Sequence, residues 1–275
     1  MFELPTERPD LIVVAGDWHA NTNYATRVIR QSASREIDTI LHLGDFGIYP
    51  NDRHGAAFLD SVERLCAESG MTIWVTPGNH EDWNYLDHLN AASPSADFHH
   101  VRDHIIVLRR GARFTVPPFH SLVFGSLGGA PSVNMHDLVP NISWFPTEAV
   151  TMGDVHRLVD AALTDRRGVD VLLAHDVCNR STKIVERMLK TNPFGWPQSA
   201  LDYAASSRSL LDHVRAELKP KAWLHGHYHV SEISQRDGTI FVALAHDGRE
   251  PRLSTALLDT VNPSVYHDGI EFSLE

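Results

Sequence analysis

Short apolar runs rich in β-branched residues recur along the chain. The clearest are Leu11–Ala15 (LIVVA), Thr39–Leu43 (TILHL), Thr72–Thr76 (TIWVT), Ser121–Gly125 (SLVFG), Asp170–Ala174 (DVLLA), Ala222–Leu224 (AWL), Thr239–Leu244 (TIFVAL) and Ser254–Asp259 (STALLD). Near-continuous runs of this length belong to strands buried on both faces, since a strand with one wet face alternates apolar and polar positions. Between them the spacing changes to three and four. Phe58, Leu59, Val62, Leu65 and Cys66 predict a helix over Arg53 to Ser69, with Gly70 as its C-cap. Met152, Val155, Leu158, Val159, Ala162 and Leu163 predict a second. Leu210, Leu211, Val214 and Leu218 predict a third, ending before Pro220. Strands alternating with helices make an α/β protein. Beyond residue 222 the connections shorten and predict a partly antiparallel, hairpin-rich second sheet. Residues 128–146 and 191–200 read as long loops, a length often functional inside a compact domain. No repeat or low-complexity tract divides the chain, so residues 1–275 read as one domain.

Composition narrows the function classes. The 275 residues are 43% hydrophobic and 21% charged, as in an ordinary globular protein, and carry a net charge of −11. A protein that grips long nucleic acid carries a basic stripe, so this balance counts against one. Two cysteines, Cys66 and Cys178, give neither a disulfide framework nor a thiolate zinc site. The acidic, Pro-containing start shows no secretory pattern and no run approaches the roughly 20 apolar residues of a membrane span. The expectation is a cytoplasmic protein with no membrane partner.

Histidine changes the picture: there are 18. His54, His99, His100, His104, His156 and His267 read as surface scatter, and His42, inside an apolar run, as a core residue. Six others follow strand ends, together with carboxylates and an amide. LIVVA is followed by Asp17 and His19, TILHL by Asp45, TIWVT by Asn79 and His80, DVLLA by His175, and AWL by His225, His227 and His229. Ligands of α/β sheets bind at the carboxyl ends of strands, and glycines there let backbone approach a ligand. Carboxylate, imidazole and amide oxygen without thiolate suit Mn²⁺, Fe or Zn²⁺. Two such ions about 3.5–4 Å apart clamp the oxygens of a phosphoryl displacement. A pair needs a bridging carboxylate, and Asp45, alone on its strand end, is the candidate.

The ordered blocks GD-x-H, GD, GNH, H and GHxH, from residue 16 to residue 229, resemble the calcineurin-like metallophosphoesterase superfamily. The resemblance implies a four-layer α-β-β-α sandwich, two mixed sheets flanked by helices. It also implies a dinuclear centre of two divalent ions, Mn²⁺ foremost, with Fe, Zn²⁺ or Ni²⁺ as alternatives. Carried over residue by residue, Asp17, His19 and His229 would hold one ion and Asn79, His175 and His227 the other, with Asp45 between them. A metal-bridging hydroxide would attack phosphorus, and His80 would stabilise the phosphate and protonate the leaving oxygen. His225 has no slot in the pattern and would support its neighbours, with Gly226 letting the chain bend into the site. His246 would lie near the site without ligating. Asp176 and Asp247 are candidates for orienting ligand imidazoles, and Glu81 and Asp82 for acids at a helix N-terminus. Trp144 and Trp196, in the long loops, could wall a pocket.

One departure shapes the function. Protein-phosphatase members carry Asp-Arg-Gly shortly after the second block, whereas this chain has Ile48 and Tyr49 there, with Asp52–Gly55 (DRHG) as a late echo. Losing a cationic clamp should harm a dianionic monoester more than a monoanionic diester. The expectation is a phosphodiesterase for small diesters or cyclic nucleotides. The alternatives are a phosphomonoesterase or nucleotide pyrophosphatase, a single-strand nuclease, and a non-catalytic metal-binding scaffold.

Overall fold

Runs that are apolar on both sides need cover on both sides, and the architecture supplies it. The computed structural model describes residues 1–117 and 122–274. In chain order the elements are β1 (Phe2–Glu3), β2 (Leu11–Ala15), α1 (Thr22–Ala33), β3 (Thr39–His42), α2 (Arg53–Ser69), β4 (Thr72–Val75), α3 (Trp83–Ala92), β5 (Phe98–His100), β6 (Ile105–Leu108), β7 (Arg113–Thr115) and β8 (Val123–Leu127). Then come α4 (Met152–Asp165), β9 (Val171–Ala174), α5 (Lys183–Thr191), α6 (Gln198–Leu218), β10 (Ala222–His225), β11 (Glu232–Arg236), β12 (Thr239–Ala243), α7 (Pro251–Ser254), β13 (Thr255–Asp259), β14 (Ser264–His267) and β15 (Ile270–Ser273). Among the described residues these form two mixed sheets, in the order β15-β14-β13-β2-β3-β4-β6-β5 and β1-β7-β8-β9-β10-β12-β11.

Alternation along each strand divides its side chains between two apolar layers. Ile12 and Val14 of β2 face the second sheet, where they join Leu41, Trp74, Phe124, Leu173 and Leu224. Val13 faces the other way and packs with Ile40 and Ile73 against Val28 and Ile29 of α1 and Phe58 and Val62 of α2. On the far side, Leu172, Trp223 and Phe241 of the second sheet pack on Val155 and Leu158 of α4 and Leu211 and Val214 of α6. The result is the α-β-β-α sandwich. The central pairs β2–β3, β3–β4, β9–β10 and β10–β12 are all parallel. The carboxyl ends of β2, β3 and β4 therefore share one edge of the first sheet, and those of β9 and β10 one edge of the second.

Several expectations are corrected. The hairpins at the end of the chain do not make one second sheet. β11 and β12 close the second sheet, while β13 pairs antiparallel with β2 and takes β14 and β15 into the first. The loop expected over residues 191–200 ends at α6, which starts at Gln198, and α5 precedes it. Of the SLVFG run, Ser121 lies outside the described residues and the strand begins at Val123. The α2 boundaries hold as expected, and Gly70 caps it at φ +63°, a left-handed conformation that glycine adopts without strain. No helix among the described residues is long and apolar enough to cross a membrane.

Candidate functional site

Each candidate is delivered by the turn after a buried strand. Four of the seven proposed ligands sit at positive φ: His19 (45°), Asp45 (51°), His227 (65°) and His229 (57°). Left-handed backbone is uncommon outside glycine and persists where the surroundings over-determine it, as at binding sites. β10 stops at His225, and the chain then coils through two left-handed residues. Gly226 itself is not left-handed. It provides room, because a Cβ there would lie 2.0 Å from Asp17 Oδ1.

The side chains gather into two halves around Asp45. On one side, His229 Nε2 lies 3.2 Å from Asp17 Oδ2, and His19 Nε2 lies 3.6 Å from Asp45 Oδ2. One ligand atom from each of Asp17, His19, Asp45 and His229 falls within 4.8 Å of the others. On the other side, His175 Nε2 lies 3.2 Å from Asp45 Oδ1 and 3.0 Å from Asn79 Oδ1, and the His175 and His227 ring centres are 5.1 Å apart. Asp45 thus faces both halves, and the structure brings all seven residues together.

The electrostatics favour a bound cation. Asp17 and Asp45 are 0% and 1% exposed, and burying two carboxylates this close is costly without positive charge. Backbone N–H groups supply part of it: His227 donates to Asp17 Oδ2 at 3.1 Å and His80 to Asp45 Oδ1 at 2.8 Å. Protons supply more. Burial alone would lower the pKa of His19 and His175, but Asp45 and Asp17 outweigh it and hold them at about 9 and about 10. Burial would likewise raise the Asp45 pKa, yet the charges of His175 and His80 hold it well below the usual carboxylate range. Burial, with the charge of His175, pushes His227 down to about 3. The donor set of hard oxygens and imidazoles fits divalent ions of the Mn²⁺–Zn²⁺ series.

Supporting contacts aim the imidazoles. His19 Nδ1 donates to Asp247 Oδ1 at 2.9 Å, and Asp247 is held by Asn21 Nδ2 at 2.7 Å. His175 Nδ1 donates to the Leu43 carbonyl at 2.6 Å, leaving Nε2 for the site. Asp247 therefore plays the orienting part expected of it. Asp176 does not: it accepts from the Tyr228 hydroxyl at 2.8 Å and, among the described residues, hydrogen-bonds to no candidate ligand side chain. His246 stacks on His229 at 4.4 Å, beside the site. His225 is fully buried, its Nδ1 donating to the Gly226 carbonyl at 3.0 Å.

Other expectations are revised. Asp82 caps α3, accepting from the Tyr85 N–H. Glu81 is no exposed helix acid. It is 0% exposed and accepts the N–H groups of Phe46, Gly47 and Ile48 at 2.7–3.1 Å, which ties down the loop that carries Asp45. Burial and the charge of Asp45 push its pKa up to about 7. His267 is also buried, accepting or donating at Ser231 Oγ and bonded to the Thr255 carbonyl. The DRHG echo is the start of α2, with Asp52 Oδ1 accepting from the N–H groups of His54 and Gly55. Ile48 is sealed in the first helix layer and delivers nothing to the site.

A cavity of about 310 Å³ opens on Asp45, Asn79, His80, His227 and His229. Its far wall is apolar, with Met188 and Leu189 of α5, Phe194 and Trp196 of the connecting loop, and Leu201 of α6. Trp196 walls the pocket as anticipated, whereas Trp144 does not line it. Arg208 of α6 also lines it, 8% exposed, with Nε donating to Asn179 Oδ1 at 3.2 Å. Sequence reasoning missed this cation, because its helix carries no motif and lies far along the chain from the strand-end blocks.

Comparison with known proteins agrees with this geometry. The profile of the calcineurin-like phosphoesterase family matches residues 11–231. A dimetal phosphatase from Danio rerio superposes with a TM-score of 0.57 at 10% identity, covering 96% of this chain and 99% of its own. A Thermus thermophilus protein does so with a TM-score of 0.50 at 13% identity, covering 97% and 99%. At these identities the structures attest to the fold. No functionally curated protein matches the chain. The family match spans all five blocks, and the chain belongs to the calcineurin-like phosphoesterase family, a family of metal-dependent phosphoesterases with dinuclear divalent metal centres.

Proposed function

We propose that the protein is a phosphodiesterase for small diesters, cyclic nucleotides included, working with two divalent ions, Mn²⁺ foremost. Asp17, His19 and His229 would hold one ion and Asn79, His175 and His227 the other, with Asp45 placed to serve both. Such a pair, when bound, supplies positive charge for the phosphoryl oxygens and acidifies a water molecule. The chain's own residues do the rest. Asp247 and the Leu43 carbonyl fix the His19 and His175 tautomers, so both Nε2 atoms face the site. His80 sits in the cavity with its ring centre 6.0 Å from that of His19, placed to pass a proton to the leaving oxygen.

The observation that carries the reading is the cavity wall. It joins the ligand residues to Met188, Phe194, Trp196 and Leu201, which shelter an organic ester group, and Arg208 is its one lining Arg or Lys among the described residues. A monoanionic diester needs less charge than a dianionic monoester. The net charge of −11 disfavours long nucleic acid as substrate. A cytoplasmic location belongs to the proposal and accords with two free, buried cysteines. The second reading, a monoesterase, draws on Arg208, whose guanidinium could take the extra charge. Mn²⁺-loaded protein should cleave a bis-aryl phosphate diester with a higher kcat/KM than the matching aryl monoester. The reverse preference would overturn the diester assignment.

A further inference from the structure

Glu148 lies at the end of the long loop, is 0% exposed, and has no place in the chemistry described so far. Both of its oxygens accept from Ser132: Oε1 the N–H at 2.6 Å, and Oε2 the hydroxyl at 3.0 Å. Ser132 Oγ in turn accepts from Asn79 Nδ2 at 3.1 Å. The opposite end of that amide, Oδ1, lies 3.0 Å from His175 Nε2. Arg110 staples the loop that carries both residues. Its Nε donates to the Gly128 carbonyl at 2.9 Å, Nη1 to the Thr147 carbonyl at 3.0 Å, and Nη2 to the Glu148 carbonyl. The same guanidinium lies 3.8 Å from the Trp83 ring, whose Nε1 donates to the Gly78 carbonyl beside Asn79.

We propose that Ser132 and Glu148 are positioning residues that fix which way the Asn79 amide points, presenting its oxygen and not its nitrogen to the second ion. An amide can sit either way round in the same density of atoms, and only its partners decide. A hydroxyl has one proton. Burial pushes the Glu148 pKa up to about 7; above that pH the ionised carboxylate accepts that proton in a hydrogen bond, and Ser132 then accepts from Asn79, which requires Nδ2 on that side. The relay rests on the reading of Asn79 as a ligand.

Glu148→Gln gives the sharpest test. Its amide oxygen can still accept the Ser132 N–H, but its amide nitrogen donates to Ser132 Oγ. The hydroxyl is then free to donate to Asn79, which allows the amide to turn and withdraw its oxygen. Both hydrogen bonds to Ser132 survive, so a Glu148 that only anchors Ser132 would tolerate the change. The measurement is calorimetric Mn²⁺ titration of metal-free protein. In E148Q and in Ser132→Ala, one of the two binding events should weaken about 10- to 100-fold, as for other residues that orient a ligand. The other event, at Asp17, His19 and His229, should stay near the wild-type affinity and so report an intact fold. In an Asn79→Ala background, S132A should add nothing, since both act through one group. Wild-type affinities in both variants, or losses that add to that of N79A, overturn the relay and leave the metal centre standing. Wild-type protein that takes up fewer than two ions overturns the metal centre and the relay with it.

Discussion

Gly78→Ala tests whether the loop after β4 really closes on the proposed bridging residue. Gly78 is not at positive φ, so alanine suits its backbone, and ordinarily the change would stabilise by about 0.4–1 kcal/mol. Here the added Cβ would lie 2.2 Å from the Asp45 backbone nitrogen and 2.2 Å from Asp45 Oδ1. Contact distance is about 3.5 Å, so one of the two loops must move by more than an ångström. Asp45 has little freedom to yield: it is 1% exposed, left-handed, and holds the His80 N–H at 2.8 Å. Overpacking costs about 1–3 kcal/mol, and leaving a buried acceptor short of its donor about 1–3 more. The gross cost of about 2–6 kcal/mol exceeds the alanine gain, and the net loss of about 1–5 kcal/mol lowers Tm by on the order of 10 °C in a chain of this size. Gly153→Ala is the control. It lies in the first turn of α4, where the nearest atom to an added Cβ, Thr151 Oγ1, is 3.6 Å away, and it should hold or raise Tm. Thermal unfolding monitored by circular dichroism reads both. A G78A protein as stable as wild type, with both ions bound, would refute the proposed contact between these loops.

Three further expectations follow from the site. His80→Asn should keep two bound ions by elemental analysis and lose about 10²–10⁴ in kcat; unchanged turnover would remove His80 from the chemistry. His225→Ala should cost less than about tenfold in kcat/KM while His227→Ala and His229→Ala abolish most of it, and equal losses would contradict the division drawn between them. In metal-free protein the raised pKa values of His19, about 9, and His175, about 10, mean that their pairing with Asp45 stabilises fully below pH 6.5 and is lost as pH rises through those values. Ions must displace these protons, so apparent Mn²⁺ affinity should climb with pH from 6.5 towards 9, by at least about tenfold per unit, and a flat profile in calorimetry would contradict it.

What the sequence disclosed follows from where the chemistry sits. Asp17, Asp45, Asn79, His175 and His227 each trail an apolar run, and a run buried on both faces is visible without knowing its partners. α2 was legible to the residue because its stripe is strict and glycine ends it. α5 was not: Ile184, Val185, Met188 and Leu189 keep helical spacing, but the helix is only nine residues long and of these only Val185 is buried. The pairing of β13 with β2 joins residues over two hundred positions apart, and nothing local records it. The supporting residues were hidden for the same reason. Glu81 looks like any acid before a helix until its carboxylate is seen among the amides of residues 46–48. Arg208, Ser132 and Glu148 carry no motif, and their roles exist only through what the fold sets against them.

The central claim is that two ions acting together make this chain a phosphoesterase. Metal-free protein should be titrated with Mn²⁺ while uptake and cleavage of a bis-aryl phosphate diester are followed in the same samples. The account predicts two bound ions per chain, with turnover appearing only as the second site fills. Full turnover with one ion bound, or none with two, would contradict it.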